Sequence, residues 1–518
     1  MNARRWLAGA AVLAASAFGA GVAEPQVLSR PATARDVEDA IVEIDLERAR
    51  KLLDRASAEA TRLAIERARL SIYLGECDSA AAQLSAPTLA ETKEGASLGS
   101  LARTCARATA AGFIVEDTAR GIWMRLQDDA DRVLAPFIMD SAARARDAVG
   151  ADLGVDLPRP LRIDLVRDQF SLSAVSGLPV TAAETTGTLA VARWGRVILL
   201  SPRAAADGYP WQDTLAHEIT HLLVTRATRD RAPLWLQEGT AKREESRWRP
   251  GRPFDDPNWA DVTARAALLT GRSIGIDQLG PSIAMLPTPE AATIAFAEVS
   301  SFVKYWIAES GRPALELLFL DLKGTAAEDA DPALRSVSGY TLSEWNLRWQ
   351  KDLRETPQDA RVERERLPHP RDQRALARRV ALGDLLSDRG HTQAALRQYR
   401  AALAAAPAEA NVRWRAARTE ILAGENAAKG GGASVETLGA EAELRGAHAG
   451  WLALHGHALA KAGRVPEAQA ALEHALALDP LAEDVACEGE VRPPGGTAPL
   501  PADPAKRALC ASVRKPPE

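Results

Sequence analysis

The residues of this chain best suited to chemistry lie in one short run, His217-Glu218-Ile-Thr-His221. Residues four apart share one face of an α-helix, so both imidazoles can reach a single metal ion, with Glu218 facing a bound water. Leucine and isoleucine at neighbouring positions predict that this helix, over residues 211–225, is buried. The pattern indicates a hydrolytic metal site with Glu218 as general base; the alternative is a pair of core histidines.

A hydrolytic zinc site needs a third protein ligand. The remaining histidines start at His369, beyond the region of the motif, so a carboxylate is expected. Glu238 is the best candidate because it lies in an otherwise apolar helical segment, where an unpaired carboxylate is costly to bury. Glu244 and Glu245 are runner-up ligands, more readily explained as surface residues or as partners of the imidazoles. The alternative for Glu238 is a partly exposed salt bridge.

Hydrolysis at such a site also needs a donor that stabilises the oxyanion, and the sequence leaves that donor open. Tyr209, Tyr305 and Arg247 are the candidates in this region. Each of the three can equally be explained as a packing or surface residue. The sequence therefore predicts the metal ligands and the base more fully than it predicts the oxyanion donor.

The motif and the later segment Pro233-Leu-Trp-Leu-Gln-Glu238-Gly-Thr-Ala241 together resemble the peptidase MA-like gluzincins, a family of bacterial zinc metallopeptidase-like domains. The resemblance covers roughly residues 115–355 and is specific in these two segments. It implies a thermolysin-like core that binds one Zn²⁺ per chain. It also implies that both motif histidines and Glu238 are the zinc ligands, that the motif glutamate is the base, and that tetratricopeptide repeats can accompany the domain.

The elements around the motif predict an α+β fold, with a small mixed sheet and an active-site helix between all-α regions. A strand is predicted over 160–167, and a hairpin over 188–200 that turns at Trp194-Gly195. Helices are predicted over 122–149, with a kink or restart at Pro136 and an end at Gly150, over 211–225, from Pro233 onward, over 291–320 with a break at 311–313, and over 342–353.

Helical repeats are predicted on both sides of this domain. Residues 63–84 indicate a helix, a turn and a second helix, typical of a repeat hairpin or of an ordinary bundle. Two later stretches share the glycine, alanine and proline offsets of tetratricopeptide repeats. The predicted organisation is a signal peptide (1–23), an N-terminal helical layer (36–112), a metallopeptidase domain (113–355), a linker (356–372), repeats (373–485) and an irregular tail (486–518).

Composition narrows the possible partners and compartment. The 518 residues carry a formal net charge of -5 with a pI near 6.0, which gives no basic surface for nucleic acid. A basic start, a short apolar run and small residues before residue 24 indicate a signal peptide, so we expect an exported protein, periplasmic or secreted, from a bacterium. No later apolar run is long enough to cross a membrane.

Four cysteines form two local pairs in the sequence, and an oxidising compartment would join each pair. We predict the disulfides Cys77–Cys105 and Cys487–Cys510. The four residues also lack the spacing of a zinc-binding cluster. The Cys487–Cys510 bond is expected to tie down the irregular tail.

The function hypothesis is an exported zinc metallopeptidase that hydrolyses peptide bonds, with repeats that recruit a protein partner or substrate. The main alternative is a non-catalytic repeat scaffold with a vestigial protease fold. Intact Glu218 argues against the scaffold, because metal binding alone does not require a base beside the ligands. A third hypothesis is hydrolysis of a non-peptide amide or a cell-wall crosslink, since a fold does not fix the substrate.

Overall fold

The computed structural model combines many helices with one small sheet. The described residues are 32–56, 60–182, 187–205, 208–248, 259–324, 330–356, 373–406, 412–413, 415–416, 419, 449–461, 463–481, 483–487 and 503–514. The predicted signal peptide lies outside them, as do all but the first residue of the predicted linker and most of the stretch between the two repeat-like segments. The α+β class is confirmed, because helices surround a five-stranded mixed sheet.

Six helices form the N-terminal layer, in the described residues 34–56 and 60–109. The helix–turn–helix predicted over 63–84 is confirmed, and its turn contains Gly75 at a φ of +82°, a conformation that glycine adopts without strain. The predicted disulfide Cys77–Cys105 is confirmed and joins the fourth helix to the sixth. The helices are α1 (Ala34–Val42), α2 (Leu46–Arg55), α3 (Ala60–Leu74), α4 (Cys77–Leu84), α5 (Pro87–Ala90) and α6 (Lys93–Thr109).

The sheet has the strand order β1-β2-β3-β5-β4. Its three central strands are parallel, whereas β1 and β4 pair antiparallel at the two edges. The predicted strand and hairpin are confirmed, and Trp194 and Gly195 turn the hairpin with φ of +56° and +66°, as a two-residue turn requires. The strands are β1 (Phe113–Asp117), β2 (Ile122–Leu126), β3 (Leu161–Val166), β4 (Ala190–Arg193) and β5 (Arg196–Leu200).

The helix predicted over residues 122–149 is wrong at both ends. Its first five residues are β2, in which Ile122, Met124 and Leu126 are all buried. Alternation with a period of two, the pattern of a strand, was outweighed by the longer helical pattern that follows it. The helix itself, α7 (Ala135–Leu153), starts close to Pro136 and ends at Gly154 instead of Gly150.

The helices after the sheet confirm most of the predicted pattern. The break at residues 311–313 separates two helices as expected. Pro233 is the residue before the next helix and not its first residue, because its ψ of 157° is extended. These helices are α8 (Gln169–Ser176, between β3 and β4), α9 (Trp211–Thr228), α10 (Leu234–Glu244), α11 (Trp259–Leu269), α12 (Pro289–Ser310), α13 (Pro313–Gly324), α14 (Asp331–Ser338) and α15 (Leu342–Glu355).

Two helical hairpins follow, and they pack with the same offset. A Cβ on Gly383 would lie 2.4 Å from the ring of Tyr399, and one on Gly456 would lie 2.8 Å from Leu472, sixteen positions on in both cases. Glycine therefore lets the first helix of each hairpin touch the second. The helices are α16 (Gln373–Asp388), α17 (Thr392–Ala405), α18 (Ala449–Lys461), α19 (Val465–Leu478), α20 (Glu483–Ala486) and α21 (Pro504–Arg514).

The expectation of an irregular tail is wrong for residues 504–514, which form α21. The predicted disulfide Cys487–Cys510 is confirmed and ties this helix to the end of α20. Residues 449–514, the C-terminal unit, place Ala486 and Leu509 in the same core as the sheet and α9. Among the described residues, none of the helices is long and apolar enough to span a membrane.

The N-terminal layer is joined to the sheet by buried charges. Arg196 on β5 is fully buried, donates to the carbonyl of Ile72 and lies 2.8 Å from Asp164 on β3. Arg125 on β2 donates to Asp164 at 2.7 Å and to the carbonyl of Gly75 at 2.8 Å. Two arginines on the sheet therefore share one carboxylate and both reach the turn between α3 and α4.

Candidate metal centre

Helix α9 carries both motif histidines through the centre of the molecule. Leu215, Ile219 and Leu223 are fully buried and fix the helix against the core. His217 and His221 lie one turn apart on the face turned towards α10, where their rings meet edge to face at a centroid distance of 4.8 Å. The spacing of the two histidines on one helix is therefore enough to place the imidazoles side by side.

Glu238 on α10 completes a group of three metal-ligand side chains. His217 Nε2 and His221 Nε2 lie 3.1 Å apart, and Glu238 Oε2 lies 3.4 and 3.5 Å from them. Metal–donor bonds of about 2.0–2.1 Å at tetrahedral angles would separate neighbouring donors by about 3.3 Å. These three atoms, the donor triangle, therefore have the spacing that one zinc ion needs. The three residues form a group in which one ligand atom from each lies within 4.8 Å of the others.

The outer nitrogens of both imidazoles face acceptors. His217 Nδ1 lies 3.1 Å from Glu245 Oε2, and His221 Nδ1 lies 3.2 Å from Gln237 Oε1. An Nδ1 proton on each ring satisfies both contacts and leaves the Nε2 lone pairs facing each other. Glu238 Oε2 is buried and has no hydrogen-bond partner among the described residues. Three lone-pair atoms that face one point without a donor between them fit a cation.

The electrostatics of the donor triangle agree with this geometry. Burial lowers the pKa of His217, but its close contacts with Glu238 and Glu245 outweigh burial and raise that pKa to about 10. Glu238 likewise raises the pKa of His221 against the effect of burial. Burial favours a higher pKa for Glu238, yet the two histidines hold it well below its ordinary value. The cluster attracts positive charge, whether a proton or a metal ion.

A glycine brings α10 close enough to deliver Glu238. A Cβ on Gly239 would lie 2.3 Å from Val303 Cγ2 and 2.7 Å from the carbonyl of Val299, both on α12. The two helices can therefore touch only because this position has no side chain. Gly239 thus allows the close packing of α10 on α12 that places Glu238 opposite the histidines.

Glu218 lies beside the donor triangle and is bound to the edge of the sheet. Its Oε2 accepts the amide of Ala192 on β4 at 2.6 Å. Burial raises the pKa of its carboxyl, while His221 and His217 act in the opposite direction. One carboxylate oxygen is therefore held by the edge strand, and Oε1 remains for proton transfer.

On the edge strand β4, the backbone amide and carbonyl groups of alternate residues point away from the sheet. Leu200 donates to the carbonyl of Leu189 at 2.8 Å, which makes that pair hydrogen-bonded. By the alternation of antiparallel ladders, the pairs of Ala190 and Ala192 with β5 are not hydrogen-bonded. The amide and carbonyl groups of these two residues therefore point outward, and the Ala192 amide is the one that reaches Glu218.

The runner-up ligands behave differently from each other. Glu245 is confirmed as a partner of an imidazole, His217. Glu244 is neither a surface residue nor such a partner: it is 1% exposed and pairs with Arg243 on the side of α10 that faces Asp152. Burial raises the pKa of Glu244 to about 7.

The three candidate oxyanion donors have their contacts elsewhere. The Tyr209 hydroxyl donates to the carbonyl of Leu200 at the end of β5. Tyr305 packs against Trp345, nine residues and therefore about 13 Å further along α12 than the part of that helix that touches His217. Arg247 is half exposed and its nearest anions are Asp152, at 3.7 Å, and Glu244, at 3.8 Å. None of these contacts involves the donor triangle.

Several residues of the site carry no motif that sequence reasoning could use. Gln237 lies beside Glu238 in the sequence, and only its contact with His221 reveals its role. Ala192 contributes a backbone amide, which every residue but proline has. Phe296 packs its ring edge to face on His217 at 6.2 Å, and Lys242 lies near it. Helical spacing from Glu238 would have pointed to Lys242 alone.

Comparison of the chain with known protein families, with curated proteins and with solved structures finds no match. The resemblance to the peptidase MA-like gluzincins stays a prediction that the two sequence segments carry. The geometry defines a class of site: a two-histidine, one-glutamate donor group, buried except for the partly buried His221, beside a second glutamate at the edge of a mixed sheet.

Proposed function

We propose that this protein is an exported zinc-dependent metallopeptidase with a thermolysin-like core. The donor triangle carries the proposal, because His217, His221 and Glu238 turn three lone-pair atoms towards one point at the spacing of a tetrahedral site. Glu218 adds support, since a site that only stored metal would not need a carboxylate held beside its ligands. A small mixed sheet with an active-site helix is the core that the resemblance implies.

Each residue of the site has a role in peptide hydrolysis. His217, His221 and Glu238 would hold one zinc ion and leave a fourth position for water. When bound there, zinc would lower the pKa of a water molecule and supply positive charge to polarise a carbonyl. Glu218 takes the water proton on Oε1, because the Ala192 amide occupies Oε2, and passes the proton to the leaving amine.

The substrate is an extended peptide. The outward amide and carbonyl of Ala190 and the outward carbonyl of Ala192 can pair with a peptide that adds to β4 as a further strand. A peptide held there lies against the strand that also positions Glu218. The edge therefore supports peptide-bond hydrolysis over hydrolysis of a small non-peptide amide.

The flanking helices and the disulfides support the remaining parts of the proposal. The hairpins α16–α17 and α18–α19 share the packing offset expected of tetratricopeptide repeats and would recruit a protein partner or substrate. Two disulfides with no free cysteine among the described residues support export to an oxidising compartment.

The first test is the zinc content of the purified mature chain, measured by mass spectrometry. About one zinc per chain is expected, absent from His217→Ala and retained by His391→Ala, a matched histidine variant on the exposed start of α17. A wild-type chain that stays free of metal after zinc is supplied contradicts the proposal. That result would favour the alternative, a non-catalytic scaffold whose repeats bind a protein partner.

The second test separates metal binding from catalysis. Glu218→Gln should keep its zinc and cut a fluorogenic peptide library about 10²–10⁴-fold more slowly, because the amide cannot accept the water proton. Tyr305→Phe, on the far part of α12, serves as a variant with unchanged rate. Equal rates for wild type and Glu218→Gln would show that Glu218 is not the base.

A further inference from the structure

The ammonium of Lys242 is enclosed, although most lysines face solvent. Lys242 lies on α10 one turn after Glu238, and its side chain is only 16% exposed. Its Nζ lies 2.7 and 3.0 Å from the two carboxylate oxygens of Glu245. It also lies 5.6 Å from the ring centre of Trp259 on α11 and 5.4 Å from that of Phe296 on α12, within the range of a cation–π contact.

Glu245 and Phe296, two of the groups around this ammonium, also touch His217. Glu245 accepts from His217 Nδ1 at 3.1 Å, and the Phe296 ring packs edge to face on the imidazole at 6.2 Å. An acceptor on Nδ1 fixes the tautomer and the orientation of a ligating histidine. Lys242 thus contacts both of the groups that hold the outer side of this ring.

We propose that Lys242 is a positioning residue for the metal centre: it holds Glu245 and Phe296 against His217 and so keeps His217 Nε2 aimed at the donor triangle. The inference rests on the proposed function, since it requires that the triangle binds a metal. Glu245 is buried and has one histidine partner besides Lys242. Without the ammonium, burial of this carboxylate would cost more free energy, so the side chain would turn towards water.

Charge alone gives the opposite expectation, which makes the inference testable. Glu218, Glu238 and Glu245 are buried and supply three negative charges, and the partly buried Lys242 supplies one positive charge. These four side chains together carry a net formal charge of -2. If Lys242 acted only through its charge, its removal would attract a divalent cation more strongly. If it acts by positioning, its removal weakens metal binding.

The experiment is a double-mutant cycle on zinc affinity, measured in the full chain by competition with a chelator. Glu245→Gln should weaken zinc binding about 10–100-fold. Lys242→Met should weaken it in the same direction, and the double variant should bind no more weakly than Glu245→Gln alone. Lys304→Met is the matched control, because Lys304 pairs with Asp261 on the same two helices, α12 and α11, but is half exposed.

Restoration by a conservative variant separates positioning from general damage to the fold. Lys242→Arg keeps a cation within reach of Glu245 and should bind zinc within a few-fold of wild type. Unchanged or tighter zinc binding by Lys242→Met, or losses that simply add in the double variant, would overturn the inference. A wild-type chain without zinc affinity would instead overturn the proposed function.

A measurement on the wild-type chain covers the case in which Lys242→Met does not fold. With ¹⁵N-labelled histidine, zinc-loaded His217 should show a neutral ring with its proton on Nδ1 and the metal on Nε2. Lys242→Gln, which keeps a donor but loses the charge, should exchange this proton with solvent faster than wild type. Metal on Nδ1, or an unchanged exchange rate in Lys242→Gln, contradicts the role of Lys242.

Discussion

The two helical regions that flank the sheet hold opposite ends of α9 by different means. At the carboxyl end, the N-terminal layer presents Glu43, whose carbonyl accepts from Arg226 and whose carboxylate lies 2.6 Å from Arg229 Nε. At the amino end, the C-terminal unit meets the backbone just before α9, where the amide of Tyr209 donates to the carbonyl of Leu478 at 2.9 Å. One end is held by charge, the other by backbone contact.

This difference shows that similar helical hairpins need not be interchangeable modules. The N-terminal layer offers the carbonyls of Ile72 and Gly75 to Arg196 and Arg125, two buried arginines of the sheet. Both arginines share the carboxylate of Asp164 on β3 and respond to the loss of that counter-charge. The C-terminal unit adds apolar residues to the main core and a close approach that depends on shape. Variants at the two attachments should therefore respond differently to salt, to pH and to side-chain volume.

The largest effect is expected from removing the carboxylate shared by the two buried arginines. Asp164→Asn keeps the shape of the side chain but leaves Arg125 and Arg196 without a counter-charge, so the free energy of unfolding should fall by about 3–5 kcal/mol. Urea denaturation measures the change. Asp117→Asn, which breaks an exposed pair with Arg120, is the control and should unfold like wild type.

A smaller effect is expected at the attachment of the C-terminal unit. Gly208 has a φ of +66°, and a Cβ there would lie 2.5 Å from the carbonyl of Leu478, so Gly208→Ala should destabilise the chain by about 1–3 kcal/mol. Gly280→Ala is the matched control, because Gly280 has the same φ and nothing within 4 Å of its Cβ position. Equal losses of stability would mean that the contact with Leu478 contributes nothing.

The smallest effect is expected at Glu43, whose cationic partners are partly exposed. Glu43→Gln should reduce the free energy of unfolding by about 1 kcal/mol at low ionic strength. The loss should shrink in high salt, where such pairs are screened. Glu47→Gln, in an exposed pair with Lys51, is the control. A loss that does not depend on salt would show that charge does not hold this end of α9.

The same carboxylate predicts a pH dependence. Burial favours a higher pKa for Glu43, but the hydrogen bond from Arg229 and the charge of Lys323 lower it below the ordinary 4.5. Its contribution to stability is therefore complete above the unfolded-state pKa and disappears as the pH falls through the lowered value. Acid unfolding curves of wild type and Glu43→Gln should converge in that range.

The candidate metal centre could be predicted from sequence where its geometry is local. His217, Glu218 and His221 share one helix, so their spacing fixes their relation, and Glu238 stands out as a charge in an apolar helical segment. Ala192 could not be found, because its contribution is an amide whose direction depends on the pairing of β4 with β5.

The fold shows the same division between local and distant contacts. The hairpin at Trp194-Gly195 and the turn at Gly75 follow from residues that permit positive φ. Strand β2 was predicted as helix because its burial arises from pairing with β1 and β3. The periodicity of β2 itself does not reveal that pairing. The attachments at both ends of α9 join residues between about 180 and 270 positions apart, beyond the reach of any periodicity.

If a peptide pairs with β4 as proposed, the hydrogen bond between the Ala192 amide and Glu218 would also determine which peptide carbonyl is left without a partner. A peptide residue opposite Ala192 can give its own amide to the Ala192 carbonyl, but its carbonyl finds the Ala192 amide already taken. That carbonyl would therefore have no hydrogen-bond partner on β4, and it would lie next to the carboxylate that would activate water. In the proposed peptidase, the edge strand would thereby select the scissile bond by withholding one hydrogen bond.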